Sequence, residues 1–416
     1  MAPPARPTVR RPLRRVGLVL ACVALLSTAC SDAGDDAGAS DRDGGGTTVP
    51  TTAGTPAEPE RFTGSVDDFY VVPDPLPPGE PGDLIRVQPV SAEGGRTTLR
   101  IMYHSRDAQD RDRAVTGILT YPDAAPPADG WPVVSLANGT VGLASPCALS
   151  RQGRTASTFG IEGVGVVTDY IGMGPVGERH PYLSKPSEGH SVIDAVRAAG
   201  NLEAAGAGKR WLAIGHSQGG HGSLSALELG EEYAPELELL GAVAIAPAAM
   251  FDRTYGDDVV VNVVSVMGLY GAATEHPEID PDDYVGPKTA AAAAAVLDDQ
   301  CLGAIQNAFV AVPVDEFYER RPAETEPARS ILRENDVGEV RVDAPLFLIT
   351  GTADPIVVID RVRDLFTRLC DAGQRTEYLE IEGADHGTEP GLAAEPVAAW
   401  FADRLAGTPA DDSCDA

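Results

Sequence analysis

Gly215-His216-Ser217-Gln218-Gly219 matches the pattern G-x-S-x-G. A serine set between two glycines is the form a nucleophile takes on a tight strand-to-helix turn that lifts its hydroxyl to the top of a sheet. In a chain of 416 residues with 45 Gly the pattern alone is weak, so its flanks decide. Lys209 to Ile214 has the composition of an entering strand, and Gly219-Gly220-His221-Gly222-Ser223-Leu224-Ser225-Ala226-Leu227 that of a small-residue helix able to pack close to it. Ser217 is the candidate nucleophile. The alternative is an ordinary turn serine.

A serine hydroxyl attacks only when a base removes its proton, and on such a scaffold the order is serine, acid, histidine. His386, in Gly383-Ala384-Asp385-His386-Gly387, follows the strand-like Thr376-Glu377-Tyr378-Leu379-Glu380-Ile381. Loops at the carboxyl ends of strands are where open α/β sheets collect functional groups. His276, between Glu275 and Pro277, suits a surface role, while His104, His180, His190 and His221 precede the required order or sit on helices and suit structural ones. Asp354 ends the run Leu346 to Asp354 in the loop after another apolar strand. A buried carboxylate there would fix the imidazole tautomer and stabilise the imidazolium. Asp385 is the rival acid, but an acid adjacent in sequence seldom reaches the histidine ring. The oxyanion of the tetrahedral intermediate needs two N–H donors. Gln218 supplies one. The loop Ala137-Asn138-Gly139-Thr140-Val141-Gly142 supplies the other, with Asn138, Gly139 and Thr140 all open as donor and a plain glycine turn as the bland reading.

The elements that must hold these groups are legible as apolar runs. Residues 84–90, 97–105 and 113–121 suit half-exposed antiparallel strands. Residues 132–137, 163–168, 211–215, 239–246 and 345–350 are short and almost continuously apolar, as strands buried on both faces are. Helical spacing at Glu188 to Leu202 and the helix after Ser217 complete a strand, helix, strand alternation. This predicts an α/β fold with a mostly parallel central sheet flanked by helices. Helical candidates at 259–273, 289–297, 302–309 and 328–334 predict a helical insertion at about 250–340, since a structureless loop of that length is unusual. No internal repeat is found.

Residues 1–29 have five arginines, no acid and the apolar run Val16 to Leu26, which predicts a secretory signal. Ser27-Thr28-Ala29-Cys30 then suggests a lipoprotein signal with Cys30 acylated, plain secretion being the alternative. After Cys30, residues 31–60 are mostly Ser, Asp, Gly, Thr, Pro and Ala with no aromatic and only Val49 among the large aliphatics, a composition that cannot bury a core and predicts a disordered tether over 30–60. The exported α/β domain is expected over 61–416. Lys+Arg 32 against Asp+Glu 62 gives a net charge of -30, and loss of the signal makes it more acidic. Nucleic acid and anionic lipid headgroups are therefore excluded as electrostatic partners, which leaves Cys30 as the expected membrane attachment. No protein partner is implied. Cys147, Cys301, Cys370 and Cys414 remain for two disulfides; of three connectivities, Cys147 with Cys301 and Cys370 with Cys414 is favoured. No cluster has metal-ligand spacing, so no metal or cofactor is expected.

Together with Phe69-Tyr70, Pro75-Leu76-Pro77-Pro78-Gly79-Glu80-Pro81-Gly82, Leu84-Ile85-Arg86 and Val166-Val167-Thr168-Asp169-Tyr170-Ile171-Gly172-Met173-Gly174, these motifs resemble the secreted α/β-hydrolase lipases related to Candida antarctica lipase A, in the branch found in actinobacteria. The resemblance covers nearly the whole exported domain. It implies esterase and lipase activity on acyl esters, a helical cap and two disulfides. Such lipases usually carry His-Gly-Thr where this chain has Asn138-Gly139-Thr140. Asp169 is a candidate to support that loop, or else a structural hydrogen-bonding residue. The function expected is a serine carboxylic-ester hydrolase acting through an acyl-enzyme on small-molecule or lipid acyl esters. The alternatives are another acyl substrate (polyester, cell-wall ester or peptide) or a substrate-binding lipoprotein without activity.

Overall fold

A computed structural model of the chain describes residues 58–251 and 259–415. The expected signal, Cys30 and all but the last residues of the expected tether lie outside the described residues. Ten strands, β1 (Glu60–Arg61), β2 (Leu84–Glu93), β3 (Arg96–Arg106), β4 (Asp112–Pro122), β5 (Trp131–Ala137), β6 (Val164–Thr168), β7 (Ala207–His216), β8 (Glu238–Ile245), β9 (Leu346–Gly351) and β10 (Thr376–Ile381), form one sheet. The order is β1-β2-β3-β4-β6-β5-β7-β8-β9-β10. From β6 to β10 every pairing is parallel, and β2, β3 and β4 continue the sheet antiparallel. This is the mostly parallel α/β architecture that the apolar runs predict, and the α/β-hydrolase fold that the resemblance implies.

The inner parallel strands are mostly apolar because both faces are covered, whereas β10 at the edge, with Glu377 and Glu380, is only partly buried. Val133, Ala213, Ala244 and Leu348 belong to one core with Val192, Val196, Leu224, Val362 and Leu365 of the helices Lys185–Asn201, Gln218–Tyr233 and Ile359–Ala372. Their chain neighbours Val134, Leu212, Ile214, Val243, Phe347 and Ile349 point the other way, onto Val397, Trp400 and Phe401 of the helix Ala394–Leu405. Alternation along each strand thus feeds two cores.

The antiparallel strands differ from expectation. They are not half-exposed: in β3 every residue from Thr98 to Ser105 is buried. Phe69 and Tyr70 pack with Ile85 and Met102 on that face. The polar residues there find partners under the cover. Arg100 donates to the Ser150 carbonyl at 3.0 Å, and the Tyr70 and Ser150 hydroxyls share a hydrogen bond of 2.5 Å. Polar alternation therefore marks a hydrogen-bonded layer here and not a wet face.

Between β8 and β9 the chain forms the helices Val259–Ala272, Pro287–Val296, Leu302–Phe309 and Ala328–Glu334. They have a core of their own, including Val263, Val266, Met267, Ile305, Phe309 and Phe317, joined by Leu143 and Tyr182 from the sheet side. A disulfide between Cys147 and Cys301, with Cα atoms 5.4 Å apart, ties this layer to the segment after β5. A second, Cys370 with Cys414, holds the C-terminus. Both pairings are those favoured from the sequence. Among the described residues no helix is long and apolar enough to cross a membrane.

Candidate active site

Ser217 lies between β7 and the helix Gln218–Tyr233, with φ 59° and ψ -118°. A non-glycine residue at positive φ is strained, and such strain clusters at functional turns. The surroundings enforce it. A Cβ on Gly215 would stand 1.9 Å from the Gly219 carbonyl oxygen, and one on Gly219 would stand 2.1 Å from that of Ala137. Only hydrogen fits at either place, so both glycines of the motif are required by packing. Gln218 is the first residue of the helix. Its N–H is one of the donors that a helix start leaves without an internal acceptor, at the positive end of the dipole.

Ser217, Asp354, His386 and the loop from Asn138 follow β7, β9, β10 and β5, so all four leave the sheet at its carboxyl edge. His386 Nδ1 and Asp354 Oδ2 are 2.7 Å apart. Asp354 Oδ1 accepts the N–H groups of Ile356 at 2.7 Å and Val357 at 3.0 Å. Burial pushes the Asp354 carboxyl up, but the His386 hydrogen bond and charge and the two N–H donors outweigh it and hold the group below the usual range. The rival Asp385 is exposed and caps its own turn, accepting from the Thr388 N–H at 2.9 Å. The ring of His216, next to Ser217 in sequence, stands 4.4 Å from that of His386 between centroids. Among the described residues the Ser217 hydroxyl makes no hydrogen bond. Nucleophile and base often tighten only when substrate is bound.

The candidate oxyanion loop is held at both ends. Asn138 is buried and donates through Nδ2 to the Thr168 carbonyl at 2.6 Å, and the Tyr170 hydroxyl donates to the Asn138 carbonyl at 2.9 Å. Thr140 Oγ1 and the Tyr182 hydroxyl share a hydrogen bond of 2.6 Å. Gly139 approaches the His216 carbonyl, with room of only 3.2 Å for a Cβ. Asp169 does not touch this loop with its carboxylate, which accepts from the Thr116 hydroxyl at 2.6 Å and the Ser150 N–H at 3.0 Å. Its two chain neighbours do the holding, because alternate residues at the end of β6 face opposite sides. The structural alternative for Asp169 is the one its contacts support.

Three groups near the site escaped the sequence reading. Glu188 is fully buried under the nucleophile helix and accepts from Gln218 Nε2 at 2.7 Å, from His221 Nδ1 at 2.7 Å and from the Leu183 N–H at 3.0 Å. Burial pushes Glu188 up, but the His221 charge and the hydrogen bonds from His180 and His221 bring it down to about 2. Glu389, three residues after His386, is buried and accepts the Gly351 N–H at 2.5 Å. Burial, then the Asp354 charge, raise it to about 7. His216 is lowered to about 4 by burial and by His386. A glutamate three residues beyond a candidate base was a visible signal for Glu389; nothing local to Glu188 marked it.

A cavity beside Ser217 is lined by Leu183, Val264, Leu269, Ile279 and Ile331, with Ile356 and Val357 from the loop after Asp354. Its wall is largely apolar, and most of it comes from the helical layer between β8 and β9.

The family model for secretory lipases matches residues 161–413. A secreted triacylglycerol lipase of Malassezia globosa is 24% identical over 386 residues, covering 84% of this chain and 83% of that protein. A probable inactive lipase of Mycobacterium tuberculosis is 23% identical, covering 84% of each. The crystal structure of Candida antarctica lipase A superposes with a TM-score of 0.70 at 17% identity, over 85% of this chain and 89% of that one. The match of the family model over more than half of the sequence shows that this chain belongs to the secretory lipase family and is a carboxylic-ester hydrolase.

Proposed function

We propose that this hydrolase works through an acyl-enzyme on Ser217, with His386 as general base and acid and Asp354 as the group that orients it. The observation that carries the proposal is the His386–Asp354 hydrogen bond of 2.7 Å beside a strained serine elbow. On attack the Ser217 proton passes to His386 Nε2, the face of the ring turned away from Asp354. The oxyanion is received by the Gln218 N–H and by an N–H of the Asn138 to Thr140 loop, and the same proton then goes to the leaving alkoxide. Water repeats the sequence to release the acid. No cofactor enters this scheme.

The apolar cavity at Ser217 supports a lipid-like acyl chain, and the family supports export. Acylation of Cys30 would keep the enzyme at the outer face of the membrane. The domain plan is a signal over 1–29, a lipidated tether over 30–60 and a catalytic domain over 61–416 with its cap at about 250–340. Hydrolysis of p-nitrophenyl esters from acetyl to palmitoyl tests the acyl assignment. Turnover sustained at long chains is expected; activity confined to acetyl and butyryl esters would contradict it. A second reading is a substrate-binding lipoprotein without activity, for which the probable inactive lipase of Mycobacterium tuberculosis is the relevant relative. Labelling of the protein by a fluorophosphonate probe excludes that reading, and absence of labelling would support it.

A further inference from the structure

Next to the His386–Asp354 pair, the fold gathers a second set of donors. His216, His386 and Glu389 each present one ligand atom, and these atoms lie within 4.8 Å of one another. Glu389 has no exposed surface. Its Oε2 faces His216 Nε2 at 3.4 Å. Both atoms are buried, and neither makes a hydrogen bond of acceptable geometry among the described residues. Buried polar atoms in native proteins are nearly always paired, so two orphans facing each other need a partner of another kind.

The separation indicates which kind. It exceeds the roughly 2.9 Å of an N–H···O hydrogen bond. It equals the distance between two ligands of a tetrahedral ion when nitrogen and oxygen each stand about 2.0–2.2 Å from the metal. Two imidazoles and one carboxylate with a fourth position open are a zinc donor set, and imidazole selects zinc, copper or nickel over magnesium or calcium. The outer contacts fit as well. Asp354 holds His386 at Nδ1, which leaves Nε2 free to ligate, and the Gly351 N–H holds Glu389 at Oε1, which leaves Oε2. Histidine and carboxylate ligands are usually fixed in this way by carboxylates and backbone groups. The histidine side chains are partly exposed, at 23% and 17%, so the rings lie at the rim of the site and small rotations can open it to an ion and close the set.

We propose that His216, Glu389 and His386 bind a divalent transition ion of the zinc class, and that the bound ion switches ester hydrolysis off. The inhibitory part rests on the reading of His386 as base. The ion occupies the Nε2 lone pair that must accept the Ser217 proton, so metal and turnover exclude each other.

The test is a calorimetric titration of Zn²⁺, with Mg²⁺ alongside, into the Ser217→Ala protein, and a parallel titration of ester hydrolysis by the wild type. One Zn²⁺ per chain and no response to Mg²⁺ are expected, with wild-type activity lost at the same midpoint and restored by chelator. Glu389→Gln and His216→Asn should each weaken Zn²⁺ binding at least about tenfold. If Glu389→Gln does not fold by circular dichroism, His216→Asn carries the comparison. No Zn²⁺ uptake by the folded Ser217→Ala protein would overturn the proposal, as would inhibition unchanged in a folded variant. Because Ser217 is not a ligand, hydrolysis surviving in Ser217→Ala would count against the nucleophile alone and leave the ion site standing.

Discussion

Asp354 gives its two oxygens to different tasks: Oδ2 meets His386 Nδ1 at 2.7 Å, while Oδ1 takes the N–H groups of Ile356 and Val357. The backbone fixes the carboxylate before the histidine is considered, so the ring is aimed by a group that cannot itself rotate away. Replacing Asp354 by Asn keeps the shape and removes the preference for the productive tautomer. Asp354→Asn should lower kcat about 10⁴-fold with KM changed little. Steady-state kinetics on a soluble ester checks it, and a loss under tenfold would place the acid elsewhere.

The elbow is a packing problem before it is a catalytic one. With the Ala137 carbonyl 2.1 Å from where a Cβ would stand, Gly219→Ala must push the nucleophile helix off β5. We expect a loss of stability of about 3 kcal/mol in urea unfolding, at the upper end for a single substitution. A neutral result would mean that the helix is free to shift.

The Cys147–Cys301 bridge closes a sequence separation of 154 residues and joins the cap to the segment that follows the oxyanion loop. On chain entropy a loop of that length is worth about 5 kcal/mol, and measured losses run at about 2–5 kcal/mol. The double variant Cys147→Ser with Cys301→Ser should fall in that range by thermal unfolding. It should also lose long-chain esters before short ones, since most of the cavity wall is cap.

Stability should fall in acid because of Glu188. Its folded-state pKa is about 2 against an ordinary 4.5, so the stabilisation is complete above 4.5 and is lost as the pH drops toward 2. His221 works in the opposite sense. Burial lowers it, but the Glu188 charge and hydrogen bond and the Asn335 carbonyl raise it overall, so its contribution is complete below 6.5 and fades as the pH rises through the raised value. Glu188→Gln should lower stability at neutral pH by stranding His221, and should flatten the decline between pH 4.5 and 2. An unchanged acid limb in urea titrations at several pH values would contradict the assignment.

What could be read from the chain follows how far each contact reaches. The parallel strands were legible because Val133, Val134, Leu212, Ile214 and Ile349 are buried on both faces, and burial writes itself locally as an apolar run. Ser217 and Asp354 were legible because each follows such a run, and His386 because it follows the alternating strand Thr376–Ile381 at the same edge. The cover over β3 was not. It depends on Phe69 and Tyr70 folding onto strands that follow them in sequence, and nothing within Thr97 to Ser105 announces it. Glu188 and His221 meet across 33 positions from the first turns of two helices, and nothing in either segment says that they pair. For Asp169 the motif left two roles open, beside the Asn138 to Thr140 loop or structural, because the pleat that turns its carboxylate toward Ser150 is not written in the motif.

Ser217 is the central claim, and its removal is the direct test. Hydrolysis of a p-nitrophenyl ester by the purified protein and by Ser217→Ala, with mass spectrometry of the fluorophosphonate-treated wild type, reads it from two sides. Activity lost about 10⁶-fold in the folded variant, and a probe mass on the peptide carrying Ser217, is the predicted result. Turnover retained in Ser217→Ala, or the label on another residue, would contradict it.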